Sequence, residues 1–157
     1  MSDASTEIEA IKQLKYRYLR CIDEKLWDEL AGCFTPDATS SYSDGKYSFS
    51  GRDEIMEFLI GAMDRPSFLS SHCVHHPEIE LTGPTTATGT WKLEDVVIDT
   101  QHEITIRGAA FYRDQYRKTE AGWQLSATGY RRTFEEMESR KDRPDLHLTA
   151  NRWSPKG

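Results

Sequence analysis

The stretch Ser70–Leu81, SSHCVHHPEIEL, is where the chain changes character, and its reading decides the fold. Ahead of it, apolar residues recur at three- and four-residue spacing; beyond it come runs rich in Thr, Val, Ile, Tyr and Trp. The stretch itself packs His72, Cys73, His75 and His76 into five positions, which invites a metal-site reading. A helix would bring His72, His75 and His76 to one side. The flanking Ser70-Ser71, the Pro77 that disfavours helical backbone at His76, and the alternating Glu78-Ile79-Glu80-Leu81 favour a strand instead. Along a strand successive side chains point to opposite faces. His72, Val74 and His76 then share one face and Cys73 and His75 the other, so the three rings do not converge on an ion without a bulge. A structural zinc site needs three or four N/S ligands at typical spacings, and no second cluster supplies them, so no metal is expected.

Working outward toward the N-terminus, Thr6-Glu7-Ile8-Glu9 reads as a capping box, followed by Ile8, Ile11, Leu14, Tyr18 and Ile22 at helical spacing. Leu26, Trp27, Leu30 and Phe34 give a second helical pattern that stops at Pro36. Asp44-Gly45, between two Tyr/Ser/Phe alternations, signals a hairpin. GRDEIMEFLIGAM, residues 51–63, reads as a third helix with Ile55, Phe58 and Leu59 on one face. Toward the C-terminus, residues 70–81, 85–99, 103–118 and 123–134 read as strands, with turn residues near 82–85 and 119–122. Three helices followed by a long meander predict an α+β fold. The expected form is a cone-shaped barrel, with N-terminal helices packed on a curved antiparallel or mixed sheet around a cavity. One domain over 1–157 is expected, with its core over about 6–140 and a charged, irregular tail over 141–157.

Composition narrows the function. A formal charge of -6 argues against nucleic acid as the main partner, because phosphate binding needs a basic face. No run approaches the roughly 18 apolar residues of a membrane span. The first twenty residues are polar and charged, so no signal peptide is expected. Cys21, Cys33 and Cys73 are widely spaced with no CxxC, which reads as reduced thiols in a cytoplasmic protein. There is no Gly-rich phosphate loop and no GxGxxG, and no cofactor is expected.

With metal binding set aside, His72 is either a polar strand residue or a general base. The second role needs a carboxylate against its other nitrogen. Asp23, in the last turn of the first helix, faces the negative end of the helix dipole. It is a solvated surface acid, or it is buried beside a histidine. Tyr18 lies on the apolar side of that helix, as a core tyrosine or as a phenol that donates to a substrate oxygen. In TWKLEDVVI, Trp91, Leu93 and Asp95 share one face, which suggests an inward carboxylate. Glu94 and Lys92 share the other face with Val96, so both sides of this strand are candidates for cover. Arg132 is a surface cation, or an inward charge that receives an acidic group of a ligand.

At this point the motifs YLRCIDEKLWDEL (18–30), SYSDGK (41–46), HCVHHPEI (72–79), TATGTWKLED (86–95), GAAFYRDQY (108–116) and TGYRRTFEE (128–136) carry a resemblance. Over roughly residues 6–150 the chain resembles the SnoaL-like branch of the nuclear-transport-factor-like superfamily. Within it the motifs are most similar to bile acid 7-alpha-dehydratase, with scytalone dehydratase and hexachlorocyclohexane dehydrochlorinase as more distant relatives. The resemblance implies Tyr18, Asp23, His72 and Asp95 as catalytic residues and adds Arg132 as a further site candidate; Arg132 and Trp91, which shares the Asp95 face, are the expected substrate contacts. His75 also matches a family histidine but points away from His72 on strand alternation. A cofactor-independent dehydratase of a small hydrophobic hydroxy-ketone is implied, assembled as a homo-oligomer, a trimer by preference. The alternatives are an isomerase or polyketide cyclase using the same site, a non-catalytic binding or assembly module, and a small subunit of a ring-hydroxylating enzyme. The stretch GAMDRPSFLSS (61–71) has no counterpart in the resemblance.

Overall fold

In the computed structural model, which describes residues 3–155, the first helix starts earlier than the capping box suggests. Asp3 is the N-cap, its carboxylate accepting from the Thr6 backbone N–H at 2.8 Å, and α1 runs Ala4–Glu24. Asp3 satisfies an orphan donor one turn ahead of Thr6, and Glu9 accepts instead from Gln13 at 2.8 Å. Lys25, in left-handed backbone, closes the helix by donating its N–H to the carbonyls of Cys21 and Ile22.

The second helix, α2, is short, Trp27–Ala31, and Phe34 belongs to a strand. That strand, β1 (Phe34–Tyr42), runs straight through Pro36, which sits where the register against its neighbour shifts. An irregular ladder tolerates the missing proline donor, so the residue expected to stop a helix lies inside a strand instead. The Asp44-Gly45 hairpin joins β1 to β2 (Tyr47–Ser50), with Ser43, Asp44 and Gly45 all at positive φ. Then follow α3 (Arg52–Met63), β3 (Phe68–Gly83), β4 (Thr86–Asp99), β5 (Ile104–Thr119) and β6 (Gly122–Ser139). The strand order is β2-β1-β6-β5-β4-β3; only β1 with β6 is parallel. The α+β class holds and the sheet is mixed, but it does not close, so β2 and β3 remain edges. Among the described residues past Arg140 there is neither helix nor strand. The tail returns to its own chain through Asn151 on the Pro66 carbonyl at 2.8 Å and Trp153 over the Lys25 ammonium at 4.3 Å.

One face of the sheet is covered. From α1, Ile11, Leu14, Tyr18, Leu19 and Ile22 are buried with Trp91, Leu93, Ala110, Tyr112, Tyr116 and Leu125 of the strands. Each fully buried Leu or Ile contributes about 1.5–3 kcal/mol of transfer free energy. Beneath this layer Lys15 reaches Asp114 at 2.8 Å with both side chains fully buried, and its ammonium lies 3.4 Å from the centre of the Tyr112 ring. Thr128 donates to the other Asp114 oxygen at 2.7 Å. Burial lowers the Lys15 pKa and the Asp114 charge opposes that shift. No helix among the described residues is long and apolar enough to cross a membrane.

The strand that opened the sequence is bent by a bulge. His75 pairs with Lys92 and Glu78 with Thr90, so His76 and Pro77 together oppose Trp91. His76 takes φ 48°, a left-handed conformation that side chains with a Cβ adopt at a cost. The extra residue switches parity. Val74 packs on the core before the bulge, and Ile79 and Leu81 pack on it after, at even and then odd positions.

Candidate active site

Asp23 and His72 meet across the end of α1 and the first half of β3. One Asp23 oxygen lies 2.6 Å from His72 Nδ1 and accepts from the Ser70 hydroxyl at 2.8 Å; the other accepts from the His72 backbone N–H at 2.8 Å. Three donors on one carboxylate supply what the unfavourable end of the helix dipole withholds. A carboxylate only accepts, so Nδ1 carries the proton and the lone pair is left on Nε2. Among the described residues no hydrogen bond reaches Nε2. The His72 side chain is 11% exposed.

Asp95 is the cross-strand partner of His72, and Gly108 is the next residue in that row. The Asp95 carboxylate is gripped at both oxygens by Arg132, at 2.5 and 2.9 Å. Burial works against the Arg132 charge, and the Asp95 hydrogen bonds and charge more than reverse it, so the guanidinium pKa is raised. Of the two readings of Arg132, the inward one holds, but its fork is committed to Asp95 and is not open to a ligand carboxylate. Asp95 in turn is a salt-bridged carboxylate, not a lone acid in an apolar pocket.

Tyr18 is fully buried, and its hydroxyl lies 3.2 Å from that of Tyr42. Burial, with Tyr42 and Tyr112 nearby, pushes its phenol well above the usual range. Its ring is edge-on to Tyr112, Tyr112 is edge-on to Tyr130, and Tyr130 lies 5.1 Å under the Arg132 guanidinium. This chain of rings links Tyr18 to the Asp95–Arg132 pair; no hydrogen bond joins it to Asp23 or His72 among the described residues. Trp91 is fully buried and its N–H donates to the Tyr116 hydroxyl at 2.9 Å. It is a core residue here, and its expected place as a substrate contact is not supported, because neither its ring nor its donor is free.

Of the cluster's other members, alternation sets Cys73 and His75 apart from His72, while His76 sits at the bulge. Cys73 is exposed. His75 lies 3.1 Å from Glu94, both about half exposed, along a shallow concavity of about 370 Å³ that also takes in Val96 and Phe134. His76, at the bulge, is exposed. Among the described residues no group of three or more His, Cys, Asp or Glu side chains is placed to hold a metal. A wider groove, about 670 Å³, runs along Thr39, Ser41, Thr88, Thr90, Arg113 and Gln115. It lacks the Asp23–His72 pair, and the chemistry of that pair outweighs the size of the groove in locating the site.

Ser70, Tyr42, Tyr130, Gly108 and Glu135 join the site without a sequence signal strong enough to single them out. The only hints were parity, which puts Ser70 with His72 and Tyr130 with Arg132.

A family model described as a SnoaL-like domain matches residues 3–128. The fold is similar to that of a scytalone dehydratase-like protein from Novosphingobium aromaticivorans DSM 12444, at 23% identity over 93% of this chain and 91% of that one, TM-score 0.75. It is also similar to a hexachlorocyclohexane dehydrochlorinase, LinA type 3, from Novosphingobium barchaimii LL02, at 16% identity over 92% and 95%, TM-score 0.77. A protein of unknown function with a cystatin-like fold from Nostoc punctiforme matches at 20% identity over 84% and 95%, TM-score 0.66. At these identities the likeness is one of fold.

Proposed function

This chain belongs to the SnoaL-like domain family of the nuclear-transport-factor-like superfamily, and from that premise we propose that it is a cofactor-independent lyase that eliminates water from a hydrophobic hydroxy-ketone. The observation that carries the reading is the 2.6 Å contact between Asp23 and His72 Nδ1, with Nε2 free. A pure binding module has no need of such a dyad and would tolerate the two more than about 4 Å apart.

In this reading Nε2 of His72 removes a proton from a carbon activated by the ketone. The C–H electron pair moves into the conjugated carbonyl, and Asp23 stabilises the imidazolium that forms. Tyr18 and Tyr42 share one hydrogen bond between two hydroxyls, which leaves one phenol proton for the oxygen that gains charge. The C–O bond then breaks, and the hydroxyl leaves beside Asp95–Arg132, taking the proton from His72 as water. The base is restored, and the product is the unsaturated ketone. No external reductant, oxidant or nucleotide enters this balance. A steroid or other polycyclic hydroxy-ketone is the proposed substrate class, in keeping with the motif resemblance, and a cytoplasmic homotrimer is the proposed state.

The test is turnover of 7-hydroxy-3-oxo steroids and related hydroxy-ketones, followed by product mass. Loss of the mass of one water marks dehydration; an isobaric product marks an isomerase on the same site. His72→Ala is expected to lower kcat by about 10²- to 10⁴-fold. Full turnover by that variant would end the general-base assignment.

A further inference from the structure

The Arg132 guanidinium is held on more sides than its bond to Asp95 requires. Its fork grips both Asp95 oxygens, at 2.5 and 2.9 Å. Its Nε, on a different edge of the same plane, faces Glu135 Oε2 at 3.0 Å, an ion pair and not an aligned hydrogen bond. Against it lies Gly108, where a Cβ would stand 2.7 Å from Arg132 Nη1 and 2.8 Å from the Phe134 carbonyl. The Tyr130 ring also lies against it, 5.1 Å from Cζ. The group is therefore packed against both Gly108 and the Tyr130 ring, with a carboxylate at each of two edges.

The strand geometry builds this slot. Ala110 pairs with Arg132, Ala109 with Phe134 and Gly108 with Glu135, so β6 carries one extra residue, Thr133, opposite β5. The bulge brings Glu135 into the row that runs His72, Asp95, Gly108 across the sheet. Without the bulge, residues 132 and 135 would fall on opposite faces of the sheet. The absent side chain at Gly108 lets Arg132 cross β5 to reach Asp95 on β4. Rotation about Nε–Cζ breaks the Asp95 fork at Nη1 and Nη2, while Glu135 at Nε, on that axis, resists the swing of the whole guanidinium that would take it out of the fork.

We propose that Glu135 and Gly108 are positioning residues that clamp Arg132 onto Asp95, beside the imidazole that the proposed elimination uses. The clamp rests on that functional reading only for its catalytic consequence; the positioning itself is a property of the slot. It also sets what the site accepts next to His72: with both carboxylates on the arginine, the adjoining ligand group is a neutral hydroxyl or carbonyl, not an anion.

The experiment is NMR of the full chain labelled with 15N, reading rotation of the Arg132 guanidinium through its resolved Nη–H signals, with Arg132→Lys as the assignment control. The wild type is expected to show hindered rotation, Glu135→Ala averaged signals, and Glu135→Asp hindered rotation again. Gly108→Ala crowds the guanidinium at Nη1 and is expected to average the signals too, while the Asp23–His72 proton signal persists. In turnover, Glu135→Ala is expected to lower kcat about ten- to a hundredfold with little change in KM, as misplacement of a contact at the reacting centre does. Adding it to Arg132→Lys is expected to cost nothing further. Unchanged guanidinium rotation in a folded Glu135→Ala variant overturns the clamp, and so does a turnover loss that is fully additive with Arg132→Lys. If the wild type converts no hydroxy-ketone, the rotation measurement still decides the clamp, and the failure falls on the lyase reading alone.

Discussion

His72 has two ring nitrogens, and Asp23 takes one of them. The division explains why one imidazole of the cluster is proposed to work and the others are not. His75 makes an exposed contact with Glu94, a kind of pair worth about 0–1 kcal/mol. At Asp23 the three accepted hydrogen bonds hold both the tautomer and the ring plane. Asp23→Asn keeps the shape but gives Nδ1 no charge to pair with as the imidazolium forms. It is expected to lower kcat by about 10²- to 10⁴-fold, within the range of His72→Ala. Ser70→Ala removes one of three donors and is expected to cost only about 0.5–1.5 kcal/mol, measured as a change in kcat/KM of the folded variant. A loss for Ser70→Ala as large as that for Asp23→Asn would show that the hydroxyl contacts the substrate directly. Asp23 and Asp95 were legible as candidates because each breaks a local rule, an acid at the wrong end of a helix and a carboxylate on an apolar face, and His72 because it sits in a histidine-dense stretch and a general base needs such a carboxylate partner. Glu135 and Gly108 break none, and only pairing across β4, β5 and β6 makes them neighbours of the site.

Among the elements, β3 shows how a bulge is written. HCVHHPEIEL has its apolar residues at even and then odd positions, which a regular strand cannot bury on one face. The chain absorbs the mismatch at His76, at φ 48°. His76→Val, β-branched at positive φ, is expected to destabilise the fold by about 1–2 kcal/mol, read as a lower urea midpoint at unchanged slope. His76→Gly is expected to hold stability within about 1 kcal/mol, since relief of the left-handed strain offsets the added backbone freedom. Turnover of either folded variant is expected to match the wild type, because the His76 ring serves no proposed step. The long helices α1 and α3 were readable from period, and β3–β6 from their Thr, Val, Ile, Tyr and Trp content and the turn residues between them. The start of β1 was not, because Phe34 fits the helical spacing of Leu26, Trp27 and Leu30, and Pro36 reads as a helix stop; its pairing with β6, some ninety residues away in sequence, decides otherwise.

At the scale of the molecule the least expected feature is the buried Lys15–Asp114 pair. Lys15 sits in the apolar stripe of α1, where sequence pattern offers no reason for a charge, and Asp114 lies in the alternation of β5. Removing one partner strands the other in the core, so Lys15→Met or Asp114→Leu alone is expected to cost about 3–5 kcal/mol. The double replacement is expected to recover most of that loss, measured by chemical denaturation of all four proteins. If the double variant is as unstable as either single one, the pair is part of a larger network, with Tyr116 and Thr128 as its other members. Tyr116 donates to Asp114 at 2.8 Å and accepts from Trp91, which is how an inward tryptophan became core instead of a ligand wall.

Local pattern determined the class, the order of the elements and the faces of the long strands, because helical and strand periods are properties of a dozen neighbouring residues. It also raised His72, Asp23 and Asp95 as residues needing partners. Which partners they found was decided only when α1 was laid across the end of β3 and four strands were brought into register. Asp23 and His72 are forty-nine positions apart and Asp95 and Arg132 thirty-seven. Hydrogen bonds and ion pairs act over a few ångströms, and no sequence period encodes a contact between segments that far apart. The proposed chemistry of this chain therefore rests on residues its pattern marked and on distances its tertiary structure set.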